Sequence, residues 1–313
     1  MKRRFSNLLP LLLLCLAAAG LIAQQQAPGP DPLVKENGTV KVGPHTYAIP
    51  DDNTPVVPNV GFVVGSRATL VIDPGAGRIN GERVLREVAK VSKNTEVYVA
   101  ATHWHAEHTT GASAFPATAK FIANKIQIGE MAEGMAQQVA NFSKRSPATA
   151  EILKGATAPT AAITYESNYT LDLGGVTVNF IGVGPTHTRG DTGFYVREDG
   201  VLFSGDVVMN NSFLAAQAPS SMKAWLAAFD TFGALKPKVI VPAHGAIGDG
   251  SLIAANRTVM QAIQARALEL KKQGRPAEEV GATIQKEMEA KHPGWPRAGG
   301  VATIARSAYN EAP

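Results

Sequence analysis

Cysteine is nearly absent from this sequence, because its 313 residues include a single one, Cys15. That residue lies within an apolar run close to the N-terminus, so a chain cleaved after the run would contain none. Such a chain forms no disulfide and offers no thiolate to a metal ion. Its stability must come from a hydrophobic core, and any metal site must be built from histidine and carboxylate ligands.

Charge is also sparse, since charged residues make up 18% of the chain and the formal net charge is +4. Three basic residues and no acidic one lie within residues 1–23, so the net charge of the remainder is +1. Positive charge is not clustered along any one element, which argues against a nucleic-acid-binding protein. With 45% apolar residues the chain can bury a large core, and one catalytic domain with an α/β core is expected.

The N-terminus has the features of a secretory signal peptide. Basic residues at positions 2–4 precede an apolar run at 8–16, and small residues follow it. From residue 8 to the predicted cleavage point this stretch holds 16 residues and includes Pro10, whereas a helix needs roughly 20 to span a bilayer. A retained membrane anchor is the alternative. We predict a cleaved signal peptide at 1–23, a periplasmic or secreted protein without stable membrane association, and a flexible tether at 24–38.

The hydrophobic pattern from residue 39 to residue 313 alternates between strands and helices. Short β-branched runs predict strands, and apolar residues at helical spacing predict helices. Two halves, each with strands followed by helices, predict two sheets packed face to face with helices outside, a four-layer αββα sandwich of the α/β class. The predicted strands are 60–64, 69–72, 96–101, 169–173, 176–183, 193–197, 201–204 and 239–241; the predicted helical parts are 80–91, an insertion at about 121–160, 221–235, 252–273 and a C-terminal extension at about 251–313.

A dense group of histidines follows the strand predicted at 96–101. His103, His105, Glu107 and His108 fall within six positions. His103 and His105 are two apart in extended backbone and project the same way, while Glu107 and His108 lie past the turn and point toward a second position. Imidazole and carboxylate ligands suit Zn²⁺ when thiolate is absent. A solvated polar loop is the alternative, and the density of the group argues against it.

Three later residues share one local setting, the end of a strand beside glycine. They are His187, Asp206 and His244. Loops at strand ends are where rigid scaffolds place functional groups. Taken singly, the aspartate could cap a helix, and the two histidines could belong to a turn and to the core. The remaining histidines, His45 and His292, are interpreted as ordinary surface residues.

Together these motifs resemble those of the metallo-β-lactamase superfamily. The resemblance covers about residues 55–250 and implies the αββα fold, two zinc ions at one edge of the sandwich, and catalytic carboxylates at Glu107 and Asp206. Asp73, which closes an early strand, matches a position that orients a ligand histidine. The implied ligands are His103, His105 and His187 for the first ion, Glu107, His108 and His244 for the second, and Asp206 as a bridge.

The sequence departs from the family pattern at two positions. The usual residue at position 107 is Asp, and Glu carries its carboxylate one methylene further, so the second zinc ion is expected to bind more weakly. In β-lactamases of the Cys-containing subclass, Cys stands in place of Asp206 and a Lys in place of Met209. A bridging Asp instead resembles the glyoxalase II, lactonase and general hydrolase branches, which lowers the expectation of β-lactam cleavage.

The resemblance implies hydrolysis of a carbonyl compound, such as a β-lactam or other amide, a lactone, an ester or a thioester, by metal-bound hydroxide. One alternative keeps the fold but makes the protein a mononuclear-iron oxidoreductase similar to persulfide dioxygenases, with His103, His105 or His108 joining His187 and Asp206. Another is a metal-bound protein without catalysis. A small-molecule substrate is expected; its identity and the oligomeric state are left open. The weaker candidates for substrate contacts are Trp104, Arg189, Asn210, Asn211 and Lys223.

Overall fold

The structure, a computed structural model, describes residues 31–312, so the signal peptide predicted at 1–23 and the first part of the predicted tether lie outside the described residues. Within 31–312, no helix is both long enough and apolar enough to cross a membrane. The strands are β1 Val40–Lys41, β2 Thr46–Ile49, β3 Val60–Val64, β4 Ala68–Ile72, β5 Glu96–Ala100, β6 Lys120–Asn124, β7 Ile163–Tyr165, β8 Asn168–Asp172, β9 Thr177–Gly182, β10 Thr192–Val196, β11 Val201–Gly205 and β12 Val239–Pro242. The α-helices are α1 Gly77–Val91, α2 Ala106–Thr109, α3 Lys125–Ser143, α4 Pro147–Ile152, α5 Met222–Ala234, α6 Ser251–Lys272, α7 Ala277–Lys291 and α8 Gly299–Glu311.

The strands form two sheets, and the predicted αββα fold is confirmed. In the described part of the chain, one sheet holds β1 to β7 in sequence order, antiparallel up to β4 and parallel from β4 onward. The other sheet has the order β12-β11-β10-β9-β8 and is antiparallel except for the parallel pair β11 and β12. The parallel strand β4 reads ATLVI and is buried throughout, as expected for a strand covered on both faces.

The hydrophobic core between the two sheets is made largely of aromatic and branched side chains. Leu70 and Ile72 of the first sheet pack with Phe180, Phe194 and Phe203 of the second, and each is at most 2% exposed. Full burial of one such side chain contributes about 1.5–3 kcal/mol. This core joins the two sheets into one rigid support for the loops at their edges.

Helices cover the outer faces of both sheets. On the first sheet, Val84 and Val88 of α1 pack over Phe62 and Val71. On the second sheet, the helices α5 to α8 share a large apolar cluster with the strand residue Leu202. The C-terminal helical extension predicted at 251–313 is therefore part of the outer layer.

Two boundaries differ from the sequence prediction. The predicted tether up to residue 38 is wrong for residues 32–38, because Val34 is fully buried and its N–H donates to the Asn80 side chain at 2.7 Å. The Asn37 N–H likewise donates to Glu87 of α1. Residues 121–124, predicted within the helical insertion, belong to β6 and pair with β5, since a short apolar run does not distinguish a strand from a buried helix.

The carboxyl ends of the central strands meet at one edge of the sandwich. Strands β9, β11 and β12 run in one direction in their sheet, as β4 and β5 do in theirs. Backbone hydrogen bonds join the two sheets there, from the Thr192 N–H to the Thr102 carbonyl at 2.8 Å and from the Asn59 N–H to the Ala243 carbonyl at 2.7 Å. Side chains that follow these strands are brought close together even when they are far apart in sequence.

Candidate metal centre

Every residue that the sequence suggested as a metal ligand lies at this edge. His103 and His105 follow β5, and the short helix α2 begins directly after them and carries Glu107 and His108. The other three come from the second sheet, where they follow β9, β11 and β12. Backbone hydrogen bonds from the N–H groups of His108 and Thr109 to the His105 carbonyl start the helix, which turns Glu107 and His108 away from the direction of the extended histidines. The second-sheet residues are His187, Asp206 and His244.

Three histidines form a first group whose ring nitrogens converge. His105 Nδ1 lies 3.0 Å from His103 Nε2 and 3.2 Å from His187 Nε2. Donor atoms around a tetrahedral zinc ion, with bonds of about 2.0–2.1 Å, lie roughly 3.3 Å apart. Burial, together with the charges of the neighbouring histidines, holds the pKa of His103 and of His105 well below its ordinary value. The rings of His103 and His105 are therefore neutral, the form that binds a metal ion.

Glu107, His108 and His244 form a second group, in which one ligand atom from each residue lies within 4.8 Å of the others. Glu107 Oε1 is 3.9 Å from His108 Nε2. Burial opposes a charge on His108, but the carboxylates of Asp73, Glu107 and Asp206 outweigh it and raise its pKa to about 9. The three carboxylates around His108 thus favour positive charge at this position.

Asp206 lies beside the first group, with Oδ2 at 3.5 Å from His187 Nε2. Burial raises the pKa of this carboxyl group, but the electrostatic effect of Arg297, together with those of the neighbouring histidines, outweighs it and holds the pKa below its ordinary value. Asp206 is therefore an ionised carboxylate. Its other oxygen, Oδ1, points toward Arg297 at 4.0 Å.

A layer of supporting contacts orients the ligand rings. Asp73 accepts hydrogen bonds from the N–H and the hydroxyl of Thr102 at 2.7 and 2.9 Å, and its Oδ2 is 3.1 Å from His108 Nδ1. The Nδ1 atoms of His187 and His244 lie against the carbonyls of Ala215 and Val57. Such contacts hold a histidine ring with its other nitrogen toward the metal. Asp73 thus lies beside His108, a candidate ligand, and its proposed role in orienting that ring stays a prediction.

Two residues that the sequence analysis missed join the metal-binding loops. Gln127 of α3 donates to the carbonyls of Ala101 and Thr102 at 3.1 Å and to that of Gly190 at 2.9 Å. Glu130, one turn later, accepts from the N–H groups of Arg189 and Gly190 at 2.8 and 2.9 Å. The sequence could have indicated these two residues, because they are polar, three positions apart on one face of a helix, and flanked by apolar residues. The helical insertion therefore fixes the His103 loop relative to the His187 loop.

The arrangement fits a metal ion by an independent criterion. Among the described residues, four buried polar atoms have no hydrogen-bond partner: Glu107 Oε2, both ring nitrogens of His108 and Asp206 Oδ1. His108 Nδ1 is close to Asp73 but is not aligned for a hydrogen bond. Unpaired buried polar atoms are costly and rare, and here all belong to proposed ligands. These histidines and carboxylates are the residues that would hold a metal cofactor.

Five of the seven candidate ligands line a groove of about 1090 Å³: His105, Glu107, His187, Asp206 and His244. Trp104, Asn210 and Asn211 line it, as the sequence analysis suggested. The other two suggested substrate contacts do not. Arg189 pairs with glutamates of α3 in an adjoining cavity, and Lys223 lies on α5, where its N–H donates to Glu311. Further residues of the rim come from 51–56, which the sequence analysis left unassigned, and from 294–297, which it placed in the helical extension but which connect α7 and α8.

Two sheets in an αββα sandwich, with two groups of histidine and carboxylate ligands at their shared edge, define a metallohydrolase-like scaffold. The chain belongs to the metallo-beta-lactamase superfamily, whose sequence model matches residues 53–244. Lactamase-like protein nscB of Trichophyton rubrum is 26% identical over 187 residues, which are 59% of this chain and 48% of that protein. The chain thus spans about half the length of the curated relative it matches.

Solved structures show the same fold at lower identity. A metallo-beta-lactamase from Pontibacter korlensis has a TM-score of 0.58 and 21% identity, covering 71% of this chain and 98% of its own. The sec-alkylsulfatase Pisa1 from Pseudomonas sp. has a TM-score of 0.64 and 18% identity, covering 87% of this chain and 50% of its own. A metallo-beta-lactamase family protein from Thermus thermophilus has a TM-score of 0.60 and 17% identity, covering 85% of this chain and 93% of its own.

Proposed function

We propose that this protein is a zinc-dependent hydrolase with two metal ions, which cleaves a carbonyl-type bond such as an amide, lactone, ester or thioester. One observation carries the proposal: two neighbouring groups of three candidate ligands each contribute side chains to one groove, and the buried side-chain polar atoms left without partners among the described residues belong to the second group and to Asp206. Membership of the superfamily supports metallohydrolase chemistry. The ligand set of imidazoles and carboxylates, without thiolate, suits zinc.

When bound, zinc lowers the pKa of a coordinated water to about 7 and so supplies a nucleophile near neutral pH. The protein contributes two carboxylates in the groove. Asp206 stays ionised because its pKa is lowered, so it accepts hydrogen bonds and does not donate a proton. Glu107 is 8% exposed and keeps Oε2 without a partner among the described residues, so this oxygen can orient the attacking water.

The size of the groove supports a small-molecule substrate. Its volume of about 1090 Å³ lies just above the roughly 300–1,000 Å³ that is usual for small-molecule sites. Trp104 forms part of one wall and packs edge-on against His105, with ring centroids 4.8 Å apart. An apolar wall beside a polar floor suits a substrate with one hydrolysable group and an apolar body. Nucleic acid is not proposed as a substrate.

The presence of a second ligand group favours a two-zinc hydrolase over a mononuclear-iron oxidoreductase. One iron ion held by His187, Asp206 and a histidine among His103, His105 and His108 would leave Glu107 and His244 of the second group without a function. The two proposals differ in metal identity and in the consumption of oxygen.

We also propose that the protein is exported and acts in the periplasm or outside the cell. The support is in the sequence: basic residues, an apolar run and small residues within 1–23, and Cys15 as the single cysteine of the chain. A protein without structural cysteines would be unaffected by an oxidising compartment.

Metal analysis combined with a substrate screen tests the proposed function. Elemental analysis of the purified protein should find about two zinc ions per chain. Turnover of at least one member of a panel of β-lactams, lactones, esters, thioesters and alkyl sulfates should be lost with a chelator and restored by zinc. Hydrolysis of the sulfate alone would contradict the carbonyl proposal, and one iron ion with oxygen consumption would establish the alternative.

A further inference from the structure

Arg297 is a charged residue in the groove that the proposed chemistry leaves without a role. It lies in the segment between α7 and α8, outside the part of the chain that matches the family, and its side chain is 27% exposed. Its Nη1 atom is 4.0 Å from Asp206 Oδ1, too far for a hydrogen bond. In the described part of the chain, its hydrogen-bonding contact is with Met209 Sδ at 3.7 Å, a weak acceptor.

Several other arginines in the described chain pair closely with carboxylates, whereas Arg297 does not. The Arg266 guanidinium, for example, lies 2.8 Å from both Glu287 and Glu269. A guanidinium has five N–H donors. The Arg297 side chain is partly buried and its contact is the weak acceptor Met209 Sδ, so most of its donors have no partner among the described residues. Such a group is complementary to an anion that comes from solution.

The backbone at Arg297 also points to a function. Its φ of +69° lies in the left-handed region, which residues other than glycine seldom adopt. Hydrogen bonds hold it there, from the Phe213 N–H to the Pro296 carbonyl at 3.2 Å and from the Gly300 N–H to the Arg297 carbonyl at 3.1 Å. Strained residues of this kind cluster at ligand sites. The result is a guanidinium that faces Asp206 from the groove wall.

We propose that Arg297 binds an oxyanion group of the substrate, a carboxylate or a sulfate, and so selects anionic substrates. The inference rests on the proposed function for the neighbouring metal centre. The planar guanidinium can donate two parallel hydrogen bonds to such a group. Its distance of 4.0 Å from Asp206 puts the bound anion beside the metal-binding residues, so the anion and the hydrolysed bond must be near neighbours in the substrate.

A matched pair of esters tests this selection. The 4-nitrophenyl monoester of glutaric acid carries a terminal carboxylate, and 4-nitrophenyl pentanoate has the same chain length without the charge. Arg297→Gln should lower kcat/KM for the anionic ester by roughly ten- to a hundredfold, mainly through KM, because hydrogen bonds to a charged group are lost. The neutral ester should change by less than threefold. Arg297→Lys keeps the positive charge but not the two parallel N–H donors of the guanidinium, so it should recover part of the loss.

Arg145 provides the control for general electrostatic attraction. It lines the same groove, and its guanidinium is stacked over Phe142 at 3.9 Å from the ring centre. If Arg145→Gln reduces the anionic preference as much as Arg297→Gln does, the net charge of the groove explains the effect and the proposal is overturned. An equal loss on both esters in Arg297→Gln, accompanied by a lower zinc content, would also overturn it, since Arg297 would then act through Asp206.

A readout without turnover separates this inference from the proposed function. Phenylglyoxal modifies arginine side chains, and peptide mass spectrometry locates the adducts. In zinc-loaded protein, glutarate or methyl sulfate should protect Arg297 while neutral glutaramide does not, and Arg78, which is 66% exposed, should react throughout. Protection by one anion identifies the oxyanion class, and protection by neither overturns the site. If neither ester is hydrolysed but Arg297 is protected, the anion site stands and ester hydrolysis fails.

Discussion

Asp73→Asn should weaken zinc binding at the second ligand group without changing any ligand. Asp73 is 1% exposed and has a φ of +55°, a conformation that asparagine also tolerates. The substitution keeps the size of the side chain but removes its charge. It also replaces one accepting oxygen with an NH₂ group, next to the donors of Thr102 or beside the His108 ring.

The expected magnitude follows from these contacts. Loss of a partner that orients a ligand typically costs ten- to a hundredfold in metal affinity, about 1.4–2.8 kcal/mol. The second zinc-binding step should weaken by roughly this factor, because Asp73 contacts His108 directly. The first step should change less, since Asp73 reaches His103 only through the Thr102 hydroxyl, which is 3.1 Å from His103 Nδ1.

Asp199→Asn is a closely matched control. Like Asp73, Asp199 is buried, accepts hydrogen bonds from a threonine hydroxyl and a backbone N–H, and lies beside a histidine ring. Asp199 differs in position, because it precedes β11, whereas the candidate ligand Asp206 follows the other end of that strand. Each substitution should lower the free energy of unfolding of the metal-free protein by about 1–3 kcal/mol. Only Asp73→Asn should change zinc affinity. Urea unfolding measures the first quantity, and calorimetric titration of the metal-free protein with zinc measures the second.

The reasoning would be refuted if both aspartate variants weakened the second zinc step by the same factor. Zinc binding would then follow overall stability, and Asp73 would have no specific part in orienting His108. Unchanged zinc binding in Asp73→Asn, together with the expected loss of stability, would limit Asp73 to a structural role at the end of β4.

Three further predictions concern the metal centre and the N-terminus. His187→Ala and Asp206→Ala should each abolish hydrolysis and lower zinc content while circular dichroism stays close to wild type; normal turnover of either variant at limiting zinc would mean that the ligand assignment is wrong. Wild type should bind zinc in two unequal steps and Glu107→Ala should keep only the tighter one; two equally tight steps in the variant would show that Glu107 is not a ligand. Intact-mass measurement of protein from its native host should find a chain that begins close to Gln24, and retention of residues 1–23 would favour a membrane anchor.

The sequence by itself determined most of the strands, among them all those that precede the candidate ligands. Short β-branched runs bounded by glycine predicted β3, β4 and β11 to within a residue, because strand formation depends largely on near neighbours in the chain. The alternation of His103 and His105 in extended backbone likewise placed both rings on one side. Residues at the carboxyl ends of strands that run in the same direction must meet at one edge, so the grouping of the ligands followed from local patterns once the sandwich was predicted.

Only the tertiary structure decided which residues from other segments complete the site. Gln127 contacts Gly190 across 63 positions of sequence, and Arg297 reaches the groove from beyond the family match. Arg189 and Lys223, chosen because they are charged and near a motif, lie elsewhere. Val34 is buried because α1 supplies a partner for its backbone N–H. Contacts of this kind depend on how helices pack against the finished sheets, and that packing minimises the exposed apolar area of the whole chain, which no local pattern encodes.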